Sequence, residues 1–300
     1  MNATTNKNKK EKRSGTTIKQ SYSAQIWHQF KKNKGAVIGL IVFALIVIVA
    51  ISANFIYDYD TDIVGMNSSQ RLLPPSLEHP FGTDSMGRDL FARICYGAKY
   101  SLMIGVLAVV ISVLFGTVIG AIAGYVGGVV ETIIMRAVEM LLMIPGLLIV
   151  ILIVYSLGAS IPNLMLALGL GTVPHFARNA RAAVLTVRGN EYVEAARAIG
   201  SRGPTILFKH VLPNALSPIL VQATSRVAGC IIDAAAYSFM GLGVPAPLPE
   251  WGALLSDGRN YIRDYPSLVL FPGLAIMVTV LAINLIGDGL RDALDPKLKR

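Results

Sequence analysis

Charge is scarce in this sequence. Asp, Glu, Lys and Arg make up 15% of the 300 residues, against 53% hydrophobic, whereas a soluble domain carries about 25% charged residues. The deficit is concentrated in long uncharged blocks, which excludes an ordinary water-soluble globule. Cysteine is nearly absent too. The two present, Cys95 and Cys230, make no disulfide framework and read as small apolar residues. No segment reads G-x-x-x-x-G-K-S/T, and Gly169-Leu170-Gly171 lies in an apolar block, so the chain offers no phosphate cradle for ATP. Four scattered histidines build neither a metal-ligand set nor a nucleophile–His–acid constellation.

Positive charge is present but confined. Met1 to Lys34 holds nine Lys or Arg (Lys7, Lys9, Lys10, Lys12, Arg13, Lys19, Lys31, Lys32, Lys34) against the single acid Glu11, so 9 − 1 = +8 of the net +9 lies there. The remainder is nearly neutral, and the basic balance does not point to nucleic acid. Two readings of the tail stay open: a solvated, disordered leader over residues 1–20, or a topology signal that holds the N-terminus in the cytoplasm.

Long hydrophobic runs are what the chain has most of. Gly35 to Tyr57 carries no charge and exceeds the roughly 20 residues needed to cross a bilayer; it reads as an uncleaved anchor. Ser101–Tyr125, Ile133–Leu157, Ile161–Phe176, Leu216–Val244 and Leu268–Ile286 follow. Six spans place both ends on one side. Asp58 to Lys99 would lie outside and holds four basic residues and six acids; Ala177 to Asn214 would lie inside and holds six basic residues and two acids. The bias agrees with cytoplasmic termini, and block length favours helices over a barrel. The expected organisation is a basic tail over 1–34, a first transmembrane helix over 35–57, an extracytoplasmic segment over 58–99, a five-helix core over 100–290 with a cytoplasmic loop over 185–214, and a cytoplasmic tail over 291–300.

That loop carries the most information. Asn190 can cap a helix whose first turn holds Glu191; Ala195, Ala196 and Ala198 propagate it, and Gly200 stops it. Gly203-Pro204 opens a second helix, which Pro213 should end. Small residues on one side, with Glu194 and Arg197 to set register, suit either a partner protein or a helix lying on lipid headgroups.

Glu194-Ala195-Ala196, Gly200 and Leu212-Pro213 resemble the EAA loop of permeases from binding-protein-dependent ABC importers, although His210 stands where that family usually has an aliphatic residue. The segments Trp27 to Lys34, His79 to Asp89, Pro249-Glu250-Trp251-Gly252 and Gly287 to Pro296 extend the resemblance to the C-type permease subunit of dipeptide and oligopeptide importers, from about Trp27 to Arg300. The resemblance implies an all-α type I importer permease in a bacterial cell membrane. It implies a sibling permease, two cytoplasmic ATPases that hold ATP and Mg, and an extracellular solute-binding protein. It assigns Glu191, Glu194, Ala195, Ala196, Arg197, Gly200, Leu212 and Pro213 to ATPase coupling. Peptide, nickel-chelate, opine and glutathione importers share this permease type. An ion-coupled secondary transporter is the rival of another class.

Four further groups are candidates. Asp84 or Ser85 can cap the helix that enters the second span, and Asp84 with Arg88 can meet the binding protein. Glu250 and Trp251 follow Pro245, Pro247 and Pro249; this stiff loop is either an interfacial Trp anchor or a second contact for that protein. Arg136 and Glu139 share a helix face and suit a structural ion pair. Arg226 and Asp233, two turns apart on one face, suit intramembrane pairing or the translocation path.

Overall fold

The computed structural model describes residues 22–294, and the secondary structure among them is helical, without a β-sheet. Most of the basic tail and the terminal Asp295 to Arg300 lie outside the described residues. Helix α1 (Tyr22–Lys32) leads to α2 (Lys34–Ile56), whose start is set by Asn33: its Oδ1 accepts from Ala36 N at 3.1 Å, and its Nδ2 donates to Asp292 Oδ2 at 2.9 Å. A loop bearing two short turns then reaches α3 (Leu90–Val126), 37 residues long. It begins eleven residues before the uncharged block, because Asp89 caps it, Oδ1 accepting from Ala92 N at 2.7 Å. The cap is therefore Asp89, and neither Asp84 nor Ser85.

After α3 come α4 (Gly128–Leu142), α5 (Gly146–Leu157), α6 (Ile161–Val187) and α7 (Glu191–Ala198). The last four are the single turn α8 (Gly203–Thr205), then α9 (Leu212–Phe239), α10 (Trp251–Gly258) and α11 (Ser267–Leu294).

Among the described residues, four helices are long and apolar enough to cross a membrane: α2, α3, the continuous run Gly203–Phe239 and α11. The block read as the third span, with a kink expected at Pro145, is two helices bent by 81°. The break falls at Met143-Ile144-Pro145, where proline cannot donate the hydrogen bond that would continue α4. Counted as one span, the pair is a fifth. Helix α6 has 27 residues, but Arg178 and Arg181 interrupt its apolar character.

Helices α3 and α6 form the centre of the bundle. Gly116, Gly120 and Gly124 recur every four residues, so they line one stripe of α3. A Cβ at Gly116 would sit 2.5 Å from Phe176 Cβ, and one at Gly124 would sit 2.9 Å from the Arg181 carbonyl oxygen. Small residues let helix backbones approach where lipid gives no hydrophobic incentive to associate. Ala177 and Ala180 answer them from α6, both with no exposed surface. Ser112 Oγ donates across the seam, lying 2.8 Å from the Gly169 carbonyl oxygen.

Candidate coupling surface and intramembrane site

Helix α7 projects from the body on a narrow footing. Val193 and Ala196, three apart on one face, are buried, and Glu191, Tyr192, Glu194, Ala195 and Arg197 are exposed. The two alanines of Glu194-Ala195-Ala196 thus face opposite ways: Ala196 seats the helix, and Ala195 belongs to its free face. Asn190 occupies the N-cap position without a side-chain bond; its carbonyl accepts from Val193 N at 2.9 Å and Glu194 N at 3.2 Å.

Gly200 ends α7 with φ +82°, and Ser201 N reaches back to the Ala196 carbonyl at 3.1 Å. This is the left-handed stop expected of glycine there. Beside it Ile199 is 82% exposed, a large apolar side chain at the tip of the loop that no motif in the sequence marks.

Pro213 does not end the second helix. The chain winds through a π-helical stretch, Ile206–Val211, directly into α9, with Leu212 N donating to the Leu207 carbonyl. Proline at position 213 has no N–H to give, and the wider i to i−5 register accommodates the change without a break. Ile206, Leu207 and Val211 are buried, so the loop is stiffly joined to the span that follows it. Leu212 is half-buried and Pro213 exposed.

Within the bundle, Arg226 Nη2 lies 2.8 Å from Asp233 Oδ2. Both side chains are about one-third exposed, at 32% and 35%, and face a cavity of about 300 Å³. His175, Tyr237, Gly171 and the bend at Pro145 share its wall. Gly229 lies beneath the guanidinium; a Cβ there would stand 3.1 Å from Arg226 Nη1. Sequence reasoning misses His175 and Tyr237 because each is an isolated polar residue in an apolar helix, with no local pattern to mark it.

The Arg136–Glu139 pair forms at 3.0 Å, but its side chains are 72% and 53% exposed. It borders a second cavity of about 400 Å³ with Arg178, Arg181 and Glu131; Arg181 Nε lies 2.5 Å from Glu131 Oε1. An exposed pair contributes little to stability.

The outer motifs prove to be interior. Asp84, Arg88, Glu250 and Trp251 are 4%, 4%, 1% and 2% exposed, so the expectation that they present a contact surface to a binding protein is corrected. Asp84 Oδ2 accepts from Arg88 Nε at 2.7 Å and Arg93 Nη1 at 2.6 Å, and Oδ1 accepts from Met86 N and Arg88 N. Arg93 Nη2 also donates to the Pro247 carbonyl at 3.2 Å. Asp257 stands 3.9 Å from both guanidinium groups. Burial pushes its carboxyl up from the usual range, and Arg93 and Arg88 pull it back. Trp251 is no interfacial anchor: its indole N–H donates to the Ile94 carbonyl at 2.9 Å. Glu250 caps α10, accepting from Gly252 N, Ala253 N and Ser101 Oγ at 3.0, 3.0 and 3.1 Å. These bonds tie the two outer segments to each other and to the top of α3.

A helical membrane body carries the short exposed helix α7 ahead of a span that it joins through a continuous helical run, and its fold is that of solved ABC transporters. The inward-facing MetNI methionine ABC transporter superposes with a TM-score of 0.58 at 18% identity, over 68% of this chain and 96% of that one. An amino acid ABC transporter with histidines gives 0.52 at 17% identity, over 67% and 94%. Residues 116–300 match the family of the binding-protein-dependent transport system inner membrane component, and residues 21–75 the N-terminal TM domain of oligopeptide transport permease C. The dipeptide transport system permease protein of Escherichia coli is 49% identical over 282 residues, 92% of this chain and 93% of that protein. Its namesake from Alkalihalophilus pseudofirmus is 46% identical over 275 residues, 92% and 90%. A glutathione transport system permease protein from Shigella flexneri is 44% identical over 279 residues, 92% and 90%. The chain belongs to the family of binding-protein-dependent transport system inner membrane components, and is a multi-pass protein of the bacterial inner membrane.

Proposed function

We propose that this chain is one half of a heterodimeric permease that imports di- or oligopeptides, driven by ATP hydrolysis on two partner subunits. The observation that carries the reading is the identity of 46–49% to two dipeptide permeases over 92% of the chain. It performs no covalent chemistry; it provides a path whose access alternates, and the nucleotide biases that equilibrium through the ATPases. Any ATP and Mg belong to those partners.

The bent α4–α5 pair counted as one span, together with α6, brings the total to six, with both termini in the cytoplasm. The exposed face of α7, with Glu191, Glu194, Ala195, Arg197 and Ile199, docks on an ATPase. Gly200 sets the angle of the loop, and the unbroken run through Leu212 and Pro213 transmits the movement to α9. An extracellular solute-binding protein delivers the peptide. Glutathione is the second reading, favoured by the 44% identity to a glutathione permease; glutathione is itself a modified tripeptide. Nickel or metal-opine chelates are the remaining substrates of the same importer type. The ion-coupled alternative leaves the exposed loop without a role.

The test is reconstitution of the chain with its sibling permease, both ATPases and the binding protein in vesicles. ATP-dependent accumulation of a labelled dipeptide is expected. Accumulation of glutathione alone would move the assignment to the second reading, and transport driven by an ion gradient without ATP would end both.

A further inference from the structure

Resting on the peptide reading, we propose that Arg226 and Asp233 form a recognition site for the zwitterionic ends of the transported peptide, by exchange of their mutual ion pair. Four observations lead there. The pair closes at 2.8 Å yet keeps about a third of each side chain exposed, and both residues line the 300 Å³ cavity, so a solute in that cavity meets both charges. Arg226 Nε is buried and finds no partner among the described residues, which leaves one donor of the guanidinium fork unspent. Gly229 keeps the space beneath the guanidinium clear, and the 3.1 Å approach of a hypothetical Cβ shows how closely the side chain lies along the helix. His175 and Tyr237 add polar groups to the same wall.

The chemistry follows from these positions. A guanidinium fork is matched to a carboxylate, which takes two parallel N–H bonds. Asp233, released from Arg226, is matched to an ammonium group. A short peptide carries both ions on one molecule, and glutathione likewise carries an ammonium group and carboxylates. The resident pair satisfies each charge while the cavity is empty, which avoids leaving an isolated ion in a low-dielectric setting. The incoming zwitterion replaces one paired arrangement with another of equal charge, so binding adds no net charge to the membrane interior. Bulk side-chain specificity is not required of such a site: the charges common to all short peptides suffice.

The experiment uses the complete complex in vesicles and records uptake of a labelled dipeptide beside ATP hydrolysis stimulated by the loaded binding protein. Arg226→Gln and Asp233→Asn are each expected to lower peptide uptake by about tenfold or more. Complex yield and stimulated hydrolysis should stay within about twofold of wild type, so that peptides moved per ATP fall. The double variant Arg226→Gln/Asp233→Asn removes the cost of an orphaned charge. A pair that merely holds the bundle together predicts recovery of uptake in the double variant; recognition predicts continued loss. Wild-type uptake by the double variant overturns the proposal, and so does loss of the assembled complex in that variant, which would mark the pair as packing. Wild-type vesicles that hydrolyse ATP but move no peptide would instead overturn the peptide reading, and this inference with it.

Discussion

The Asp84 carboxylate holds Arg93 at 2.6 Å, nine residues along the chain, and both side chains are almost wholly buried, at 6% and 1% exposure. Arg88 shares the same oxygen. One carboxylate therefore bridges two buried guanidinium groups, and the second negative charge comes from Asp257, further off at 3.9 Å. Removing one partner of a buried charge cluster costs about 3–5 kcal/mol, because the remaining charge is left desolvated and unpaired. Asp84→Ala is expected to lower the thermal midpoint of the detergent-solubilised subunit sharply, as followed by size exclusion after heating. Asp60→Ala, at an exposed position, should leave it unchanged. Equal midpoints for the two variants would show that the outer segments are not held by this cluster.

Glu250 supplies a pH dependence. Burial raises its carboxyl above the ordinary value of 4.5, against the pull of the N–H groups and hydroxyl that cap onto it. A group whose folded pKa is raised takes up a proton more readily in the folded state. Its contribution to stability is full below about 4.5 and is lost as pH rises through the folded value. Glu250→Gln cannot titrate. The stability of the wild type relative to this variant is expected to fall as pH rises from 4 toward neutrality. A difference that stays constant with pH would show that folding leaves the Glu250 pKa unchanged.

The coupling loop gives a third expectation. Gly200 sits at φ +82°, and a Cβ added there would meet nothing within 4 Å, so Gly200→Val is opposed by backbone strain alone, about 1–3 kcal/mol. Glu194→Lys and Ile199→Asp alter the exposed face without touching Val193 or Ala196. All three variants should reach the membrane in normal amounts. They should recover less ATPase on copurification, or lose the stimulation of hydrolysis by the loaded binding protein. Wild-type behaviour of all three would place the ATPase contact elsewhere.

Topology can be read with the native cysteines in place, because Cys95 and Cys230 are buried. Single cysteines at Leu77 and Asn260, both exposed, should react with an impermeant reagent added to intact cells. A cysteine at Ser201 should react only after the membrane is opened. Labelling of Ser201 from outside would invert the orientation.

What the sequence determined by itself was local. Uncharged runs of more than 20 residues dictate spans because an unpaired backbone cannot sit in hydrocarbon. Gly200 dictates a helix stop because only glycine enters a left-handed turn without strain. The resemblance carried by Glu194, Ala195, Ala196, Gly200, Leu212 and Pro213, with the segments around it, pointed to the family, and Arg226 with Asp233 lay on one face of α9 by periodicity alone. The tertiary structure decided what depends on distant partners. Asp84 and Glu250 read as surface in the sequence because polar residues in a loop usually face water; they are interior because Arg93 converges on Asp84, Ser101 on Glu250 and Ile94 on Trp251 from other parts of the chain. Ala195 and Ala196 have the same propensity, and only the docking of α7 through Val193 assigns one to the body and the other to the free face. His175 and Tyr237 join Arg226 and Asp233 only because the 81° bend at Pro145 opens a cavity walled by α4, α5, α6 and α9. A one-dimensional pattern records which face of a helix a residue occupies, and packing alone determines what that face meets.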